Sequence, residues 1–561
     1  MLELVALIKA HGIREVVLSP GSRNAPLSLS FAADPFFRCH SIVDERSAGY
    51  VALGMIQASR QPVVVCCTSG SALLNYGPAV AEAFYQKLPL IVVSADRTEA
   101  WIGQMDGQTI PQYQVFGALV KRSVHVREVH SDEDLWHANR LINEALNAAL
   151  MAGGGPVHLN MPIDEPLSDF SVQQLPVVRK ITMIHPTEAD ADGAALLASA
   201  MVKAKRPMLV VGQRLPASDN LSELLEILSL RFGVVVLAEH LANVDHAIAS
   251  FDAILEHNKM EAPDLLITLG GHVVSKRLKQ LLRAQKPDQH ILFSDDLEAP
   301  DTYQALTCVL RQNPVAVLKK TIEVLLQKAA YNNISFSGLG SYYSQWTQAA
   351  SALSFDSENM RQNYCEHLPF SDLYAVGKFL ELLPENASIL VANSSSVRHV
   401  QAFPLPKNTR VYCNRGTNGI EGTLSTAFGM ALVSDRPLYV ILGDLAFFYD
   451  LNILTVKPFP KNLKVLLLNN GGGGIFDLLY EKQPKEAYQS FVAAEHTTQA
   501  VAWANAAGLE VVQANDKASI QAGLKRFMAF DGNGILLEVN NIENNAKEAQ
   551  QKYAEIIQEH K

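Results

Sequence analysis

Two segments late in the chain, ILGDLAFFYDLN at 441–452 and LLLNNGGGGIF at 466–476, carry residue types that can hold a metal ion. Each opens on an apolar run that reads as a buried strand, so Asp444 and Asn470, 26 residues apart, should stand at two strand ends. The carboxyl ends of parallel strands face the crevice where such sheets bind ligands. Beyond Asn470 the glycine run offers a main-chain carbonyl without side-chain crowding, from Gly472 or from Gly471 one residue earlier, with Gly472 favoured. Carboxylate, amide oxygen and peptide oxygen form a hard donor set suited to Mg²⁺, which keeps part of its shell for water or a phosphate group, and a diphosphate is the natural remaining ligand. The bland alternative is a turn at Gly-Asp followed by a flexible loop.

A second constellation is cationic. Ser22 and Arg23 sit in the glycine-containing loop of LSPGSRNAPL, where exposed N–H groups and a guanidinium make an anion site. Arg97 and Gln108 follow in ADRTEAWIGQMDGQTI, Lys276 and Arg277 in SKRLKQ, Ser394 and Arg398 in NSSSVRHVQ, and Arg415 in CNRGTNGIEG. Arginines near strand ends suit planar, bidentate recognition of carboxylates, several of which two dicarboxylic substrates would present.

The elements that must position these groups are short Val/Ile/Leu runs alternating with helical patterns. EVVLSP (15–20), PVVVCCTSG (62–70), LPLIVVSADR (88–97) and GPVHLNMP (155–162) read as strands covered on both faces, with helices over 47–60 and 135–153 between them. A proline-containing stretch over 166–186 reads as a linker across the surface. RPMLVVG, FGVVVLAEH, PDLLITLGGH and QHILFSDD then form a second block closed by a helix near 315–329. ASILVANSSS, TRVYCNRGTNG, RPLYVILGDLAFF, LKVLLLNNGGGG and GILLEVNN form a third. The expected fold is α/β: three tandem doubly wound parallel-sheet domains over 1–170, 186–330 and 355–561.

Gly-Asp, an Asn 26 residues on and a glycine two beyond it resemble the thiamine diphosphate and Mg²⁺ signature of the thiamine diphosphate-dependent enzyme family. The glycine run is richer than that pattern. The resemblance implies an N-terminal pyrimidine-binding domain and a C-terminal diphosphate-binding domain, with Mg²⁺ (or Mn²⁺) on Asp444, Asn470 and Gly472. It implies further cofactor contacts from Gly443, Leu445, Gly474, Ile475 and Phe476, with Ile420 beneath the cofactor and Phe476 and Leu479 as an apolar wall. It also places Glu45, in SIVDERSAGYVALG, against the aminopyrimidine ring of a cofactor bound to another subunit. A homodimer or homotetramer with active sites between subunits follows.

Within the family, SPGSRNAPL, DERSAGYVALG, TSGSALLNYGPAVAEA, SADR, NRGTNGIEG and GDLAFFYDLN are similar to one menaquinone-biosynthesis branch across nearly the whole chain. That similarity implies a transferase that decarboxylates 2-oxoglutarate and adds the succinyl carbanion to isochorismate in a Stetter-like 1,4-addition. Arg398, Ser394 and Arg415 would then hold the 2-oxoglutarate side, while Ser22, Arg23, Arg97, Gln108, Lys276 and Arg277 would orient isochorismate or the growing adduct.

The 561-residue composition agrees with a folded, multidomain chain, with 48% hydrophobic and 19% charged residues. A formal charge of −10 and no dense basic run disfavour nucleic acid as a partner. The six scattered cysteines show no C-x-x-C pair, and the first residues read as neither a signal nor a transit peptide. No apolar run is long enough for membrane insertion, so a cytoplasmic protein is expected. P-loop, H-E-x-x-H and G-x-S-x-G motifs are absent. Two alternatives stand beside this reading. One is an acetohydroxyacid synthase or 2-oxoacid decarboxylase of the same fold, which needs fewer cations; the other is a non-catalytic cofactor-binding regulator.

Overall fold

The computed structural model describes residues 1–168, 172, 174–183, 191–295, 299–332, 340–353, 365–474, 485–541 and 545–559. Three parallel sheets are distributed over two compact units. The first unit comprises 1–185, 387–396 and 413–542, and the second 186–386, 397–412 and 543–561.

In the first unit, the N-terminal sheet holds β1 (Glu15–Leu18), β2 (Arg38–Ser41), β3 (Val63–Cys67), β4 (Leu90–Asp96), β5 (Arg122–His125) and β6 (Val157–Pro162). Their order is β2-β1-β3-β4-β6-β5, every pairing parallel. Strands β1, β3, β4 and β6 are buried along their whole length, because helices cover both faces. The second unit holds β7 (Pro207–Val211), β8 (Val235–Ala238), β9 (Leu265–Leu269), β10 (Gln289–Phe293) and β11 (Cys308–Leu310) in the order β11-β10-β9-β7-β8. Its core of Leu, Val and Ile is closed by the Pro314–Asn332 helix.

Of the C-terminal strands, β12 (Ser388–Val391), β14 (Leu438–Gly443), β15 (Leu463–Asn469), β16 (Glu510–Ala514) and β17 (Ile535–Asn540) lie in the first unit, in the order β12-β14-β15-β17-β16. Strand β13 (Arg410–Tyr412) falls in the second. The parallel β14–β15 register sets Gly443 opposite Leu468, which brings the residues after both strands to one edge of the sheet.

The stretch after β6 is more firmly held than a surface linker. Leu167, Leu175 and Val178 pack on the N-terminal core, while the Asn143 side chain donates to Arg179 O and accepts from Ile181 N. Both bonds come from the Asp132–Leu150 helix, whose buried amide anchors the extended backbone.

Candidate active site

Asp444 directly follows β14 and opens the Asp444–Phe448 helix. Its carboxylate is buried, with Oδ1 accepting Leu445 N at 2.6 Å and Oδ2 accepting Gly472 N at 2.9 Å, while His496 Nε2 lies 3.3 Å from Oδ2. Burial pushes the Asp444 carboxyl above its ordinary range, against the pull of these N–H groups and of His496. The glycine run is pressed against the 493–496 backbone. Gly473 N donates to Ala493 O at 2.6 Å and His496 N to Gly471 O at 2.9 Å, and a Cβ at Gly472 (φ +150°) would stand 2.7 Å from Ala493 O. Gly472 O accepts Gly474 N. Asn470 follows β15 directly and is half-buried, whereas its neighbour Asn469 turns inward to Thr498 O and to the buried Glu538. Ile475, Phe476 and Leu479 lie outside the described residues.

The donor set fits a divalent cation bound with a diphosphate. One desolvated carboxylate, the Asn470 amide oxygen at the next strand end and peptide oxygens from glycines without Cβ atoms follow neighbouring strands at one sheet edge, and a cation would offset the burial of Asp444. Among the described residues no group of three or more His, Cys, Asp or Glu is placed to hold a metal ion.

Glu45 is the first residue of the Glu45–Ser59 helix, capped by Asp44, whose side chain accepts Arg46 N and Ser47 N. Its half-buried carboxyl is raised by desolvation and by the Asp44 charge, and Asn75 Nδ2 lies 3.5 Å from Oε2. The start of this helix is tied to the turn beyond Asp444: Arg46 donates to Tyr449 O at 2.7 Å and stacks on its ring, and Asn452 donates to Asp44. Farther along, the helix crosses the Thr423–Leu432 helix so closely that a Cβ at Gly54 or Gly429 would collide with the facing carbonyl of Thr426 or Val51. Gly422 (φ +74°) packs on the Tyr50 ring, and Tyr50 donates to Glu421 at 3.1 Å. Half-buried Ile420 is thereby set just ahead of the second helix.

Arg23 and Arg97 come together. Arg23 is buried, donating to Ile163 O at 3.0 Å and to Glu165 at 3.3 Å; Arg97 lies 3.5 Å from the same Glu165 oxygen and 3.0 Å from Asp106. Ser22 is exposed beside them in sequence, and the Gln108 backbone, at φ +57°, lies against Gly70. The sequence reading missed the buried polar network beneath. Gln112 accepts Gly70 N and donates to Ala95 O and Asn160, and Asn160 donates to Asp96 at 2.7 Å. Polar residues inside the apolar runs of β4 and β6 were the available signal.

Arg415 is also buried, donating from Nη1 to Asn393 at 3.0 Å, while its Nε finds no hydrogen-bond acceptor among the described residues. Asn393 further donates to Asn414 O and Gly419 O, so it shapes the loop carrying Arg415 and Ile420. Ser394, at φ +72°, precedes the Ser395–Gln401 helix that bears Arg398, with Arg398 itself falling in the second unit. Lys276 and Arg277 also belong to the second unit; Lys276 is exposed, and Arg277 is paired with Asp252 and Glu256.

Three family models match the chain: the thiamine pyrophosphate enzyme N-terminal TPP binding domain over residues 3–115, the middle domain of thiamine pyrophosphate over 181–366, and the C-terminal TPP binding domain over 393–538. A 2-succinyl-5-enolpyruvyl-6-hydroxy-3-cyclohexene-1-carboxylate synthase of Bacteroides fragilis is 42% identical, covering 94% of this chain and 93% of its own. The synthase of that name from Flavobacterium johnsoniae is 37% identical, covering 93% and 92%. Among solved structures, a benzoylformate decarboxylase from Polynucleobacter necessarius superposes with a TM-score of 0.72 over 96% of this chain and 97% of that one, at 18% identity, a likeness of fold. With that likeness to the synthases running through almost the full length, the chain belongs to the 2-succinyl-5-enolpyruvyl-6-hydroxy-3-cyclohexene-1-carboxylate synthase family of thiamine pyrophosphate enzymes.

Proposed function

We propose that the protein catalyses the synthase reaction of menaquinone biosynthesis, decarboxylating 2-oxoglutarate and transferring the succinyl unit to isochorismate. The observation that carries this reading is 42% identity to a synthase over 94% of the chain. Thiamine diphosphate, when bound with Mg²⁺ (or Mn²⁺), supplies the carbanion chemistry of both steps. Asp444, Asn470 and the Gly472 or Gly471 carbonyl hold the metal, supported by the desolvated carboxylate and the glycine backbone beside it. Gly443, Leu445, Gly474, Ile475, Phe476 and Ile420 surround the cofactor. Glu45 hydrogen-bonds its pyrimidine ring, a role supported by a carboxyl that burial and the Asp44 charge raise above its ordinary range.

Ser394, Arg398 and Arg415 orient 2-oxoglutarate, the Nε of Arg415, without an acceptor among the described residues, supplying a further donor. Ser22, Arg23, Arg97, Gln108, Lys276 and Arg277 receive isochorismate. By likeness to thiamine diphosphate enzymes, the protein works as a homodimer or homotetramer in which Glu45 serves a cofactor held by another copy. Cytoplasmic residence agrees with six free cysteines, and no described helix is long and apolar enough to cross a membrane.

The test is an assay with Mg²⁺, thiamine diphosphate, 2-oxoglutarate and isochorismate that follows isochorismate loss. Consumption that needs both the cofactor and 2-oxoglutarate is expected. Turnover with pyruvate in place of 2-oxoglutarate and no isochorismate loss would transfer the function to the acetohydroxyacid or decarboxylase branch.

A further inference from the structure

Glu82 is a carboxylate that the reaction as described leaves unused, yet it is 1% exposed. It lies on the Gly77–Gln86 helix, far from Arg415 in sequence and in the same compact unit. Its Oε1 accepts Gly416 N at 2.7 Å, and its Oε2 accepts Thr417 N at 2.7 Å and Thr417 Oγ1 at 2.8 Å. Gln86 donates both to Glu82 and to Cys413 O, and buried Gln57 donates to Asn414 at 3.2 Å. Three side chains of the N-terminal region thus grip Cys413, Asn414, Gly416 and Thr417, on both sides of Arg415. The fit leaves no slack, since a Cβ at Gly416 would stand 2.7 Å from Glu82 O. A buried carboxylate receiving several N–H and O–H donors is a strong, geometrically specific clamp, and its removal leaves those donors unsatisfied.

From this geometry we infer that Glu82 is a positioning residue for the 2-oxo acid: it fixes the 415–417 backbone and thereby aims the Arg415 guanidinium at the carboxylate of that substrate. The inference rests on the functional reading above. Arg415 is held from the other side by Asn393, so its direction depends on both grips. Glu82 touches no substrate; it acts through the peptide that follows Arg415.

The experiment compares Glu82→Gln, Thr417→Val and Arg415→Lys, with the double variant Glu82→Gln/Arg415→Lys, all as full chains. Wild-type turnover is measured first; its absence would overturn the functional reading and this inference together. In Glu82→Gln an amide N–H is set against a backbone N–H, and KM for 2-oxoglutarate should rise at least about tenfold, the scale of a lost hydrogen bond to a charged group. KM for isochorismate and thiamine diphosphate affinity, read by fluorescence quenching, should stay unchanged. Thr417→Val removes only the hydroxyl bond and should shift the same KM by a smaller factor, which keeps the test alive if Glu82→Gln fails to fold. The double variant should be no worse than Arg415→Lys alone. Equal KM shifts for both substrates, or additive effects in the double variant, would reduce Glu82 to a fold-stabilising residue and overturn the inference.

Discussion

At the scale of single residues, the two candidate carboxylates differ in environment. Glu45 keeps an elevated, half-buried carboxyl, and Asp444 a fully desolvated one that backbone N–H groups hold in place. Glu45→Gln should bind thiamine diphosphate and Mg²⁺ as the wild type does while turnover falls about 10²- to 10⁴-fold, the range of a lost proton-handling group. Normal turnover would remove Glu45 from the site. Asp444→Ala should weaken Mn²⁺ binding, followed by electron paramagnetic resonance, by at least about tenfold. Unchanged Mn²⁺ affinity would move the metal elsewhere. Asp444, Asn470, Arg23 and Arg415 were legible from residue type and position after an apolar run. Glu82, Gln112 and Asn160 were not, because a polar residue inside an apolar pattern shows its purpose only once its partners, up to several hundred residues away, are in place.

At the scale of elements, the candidate residues share one rule. Ser22 and Arg23 follow β1, Glu45 follows β2, Arg97 follows β4, Ser394 follows β12, Arg415 follows β13, Asp444 follows β14 and Asn470 follows β15. Within a sheet, parallel strands deliver their loops to one edge, so candidate residues scattered through the sequence stand at the edge of their own sheet. The apolar runs announced the buried central strands, but β2, β5, β11 and β16 passed unread. Each is the edge of its sheet, and RCHS, RSVH and EVVQA carry polar residues because one flank has no strand to cover it. The crossing of the Glu45–Ser59 and Thr423–Leu432 helices depends on backbone-to-backbone approach at Gly54 and Gly429. Gly54→Ala should cost about 1–3 kcal/mol or more in urea unfolding, the scale of overpacking. A loss below about 0.5 kcal/mol would mean that the helices can part without penalty.

At the scale of the whole molecule, one buried acid couples stability to pH. Asp450 is fully buried, and burial pushes its carboxyl up to about 6 despite the Ser425 N–H and hydroxyl that it accepts. An unfolded aspartate ionises near about 4, so between these pH values the native state holds more protons than the unfolded one. The contribution of this group to stability is therefore greatest below that window and falls as pH rises through it, levelling off above about 6. Asp450→Asn should abolish this component: the urea-midpoint difference between wild type and variant should change across the window and stay flat above it. A difference independent of pH would place the carboxyl in water. Assembly is testable on the same scale. If Glu45 serves a cofactor on another copy, specific activity should fall on dilution in step with the dimer measured by analytical ultracentrifugation; activity that persists in isolated monomers would place Glu45 and the metal site of one chain together.

The sequence by itself determined the three parallel α/β layers, the family and the places of the candidate residues after strands, because burial on both faces writes a continuous apolar run whose end is visible. Tertiary structure alone decided the grouping of the first sheet with all of the third but β13 into one unit, and the pairing of Arg23 and Arg97 on Glu165. It also decided the glycine contact between two helices and the grip of Glu82 on the loop that carries Arg415. These are encounters between residues distant along the chain, and local propensity holds no record of which surfaces meet. Packing at native density does, since it admits a Cβ or refuses it and satisfies a buried donor or leaves it bare.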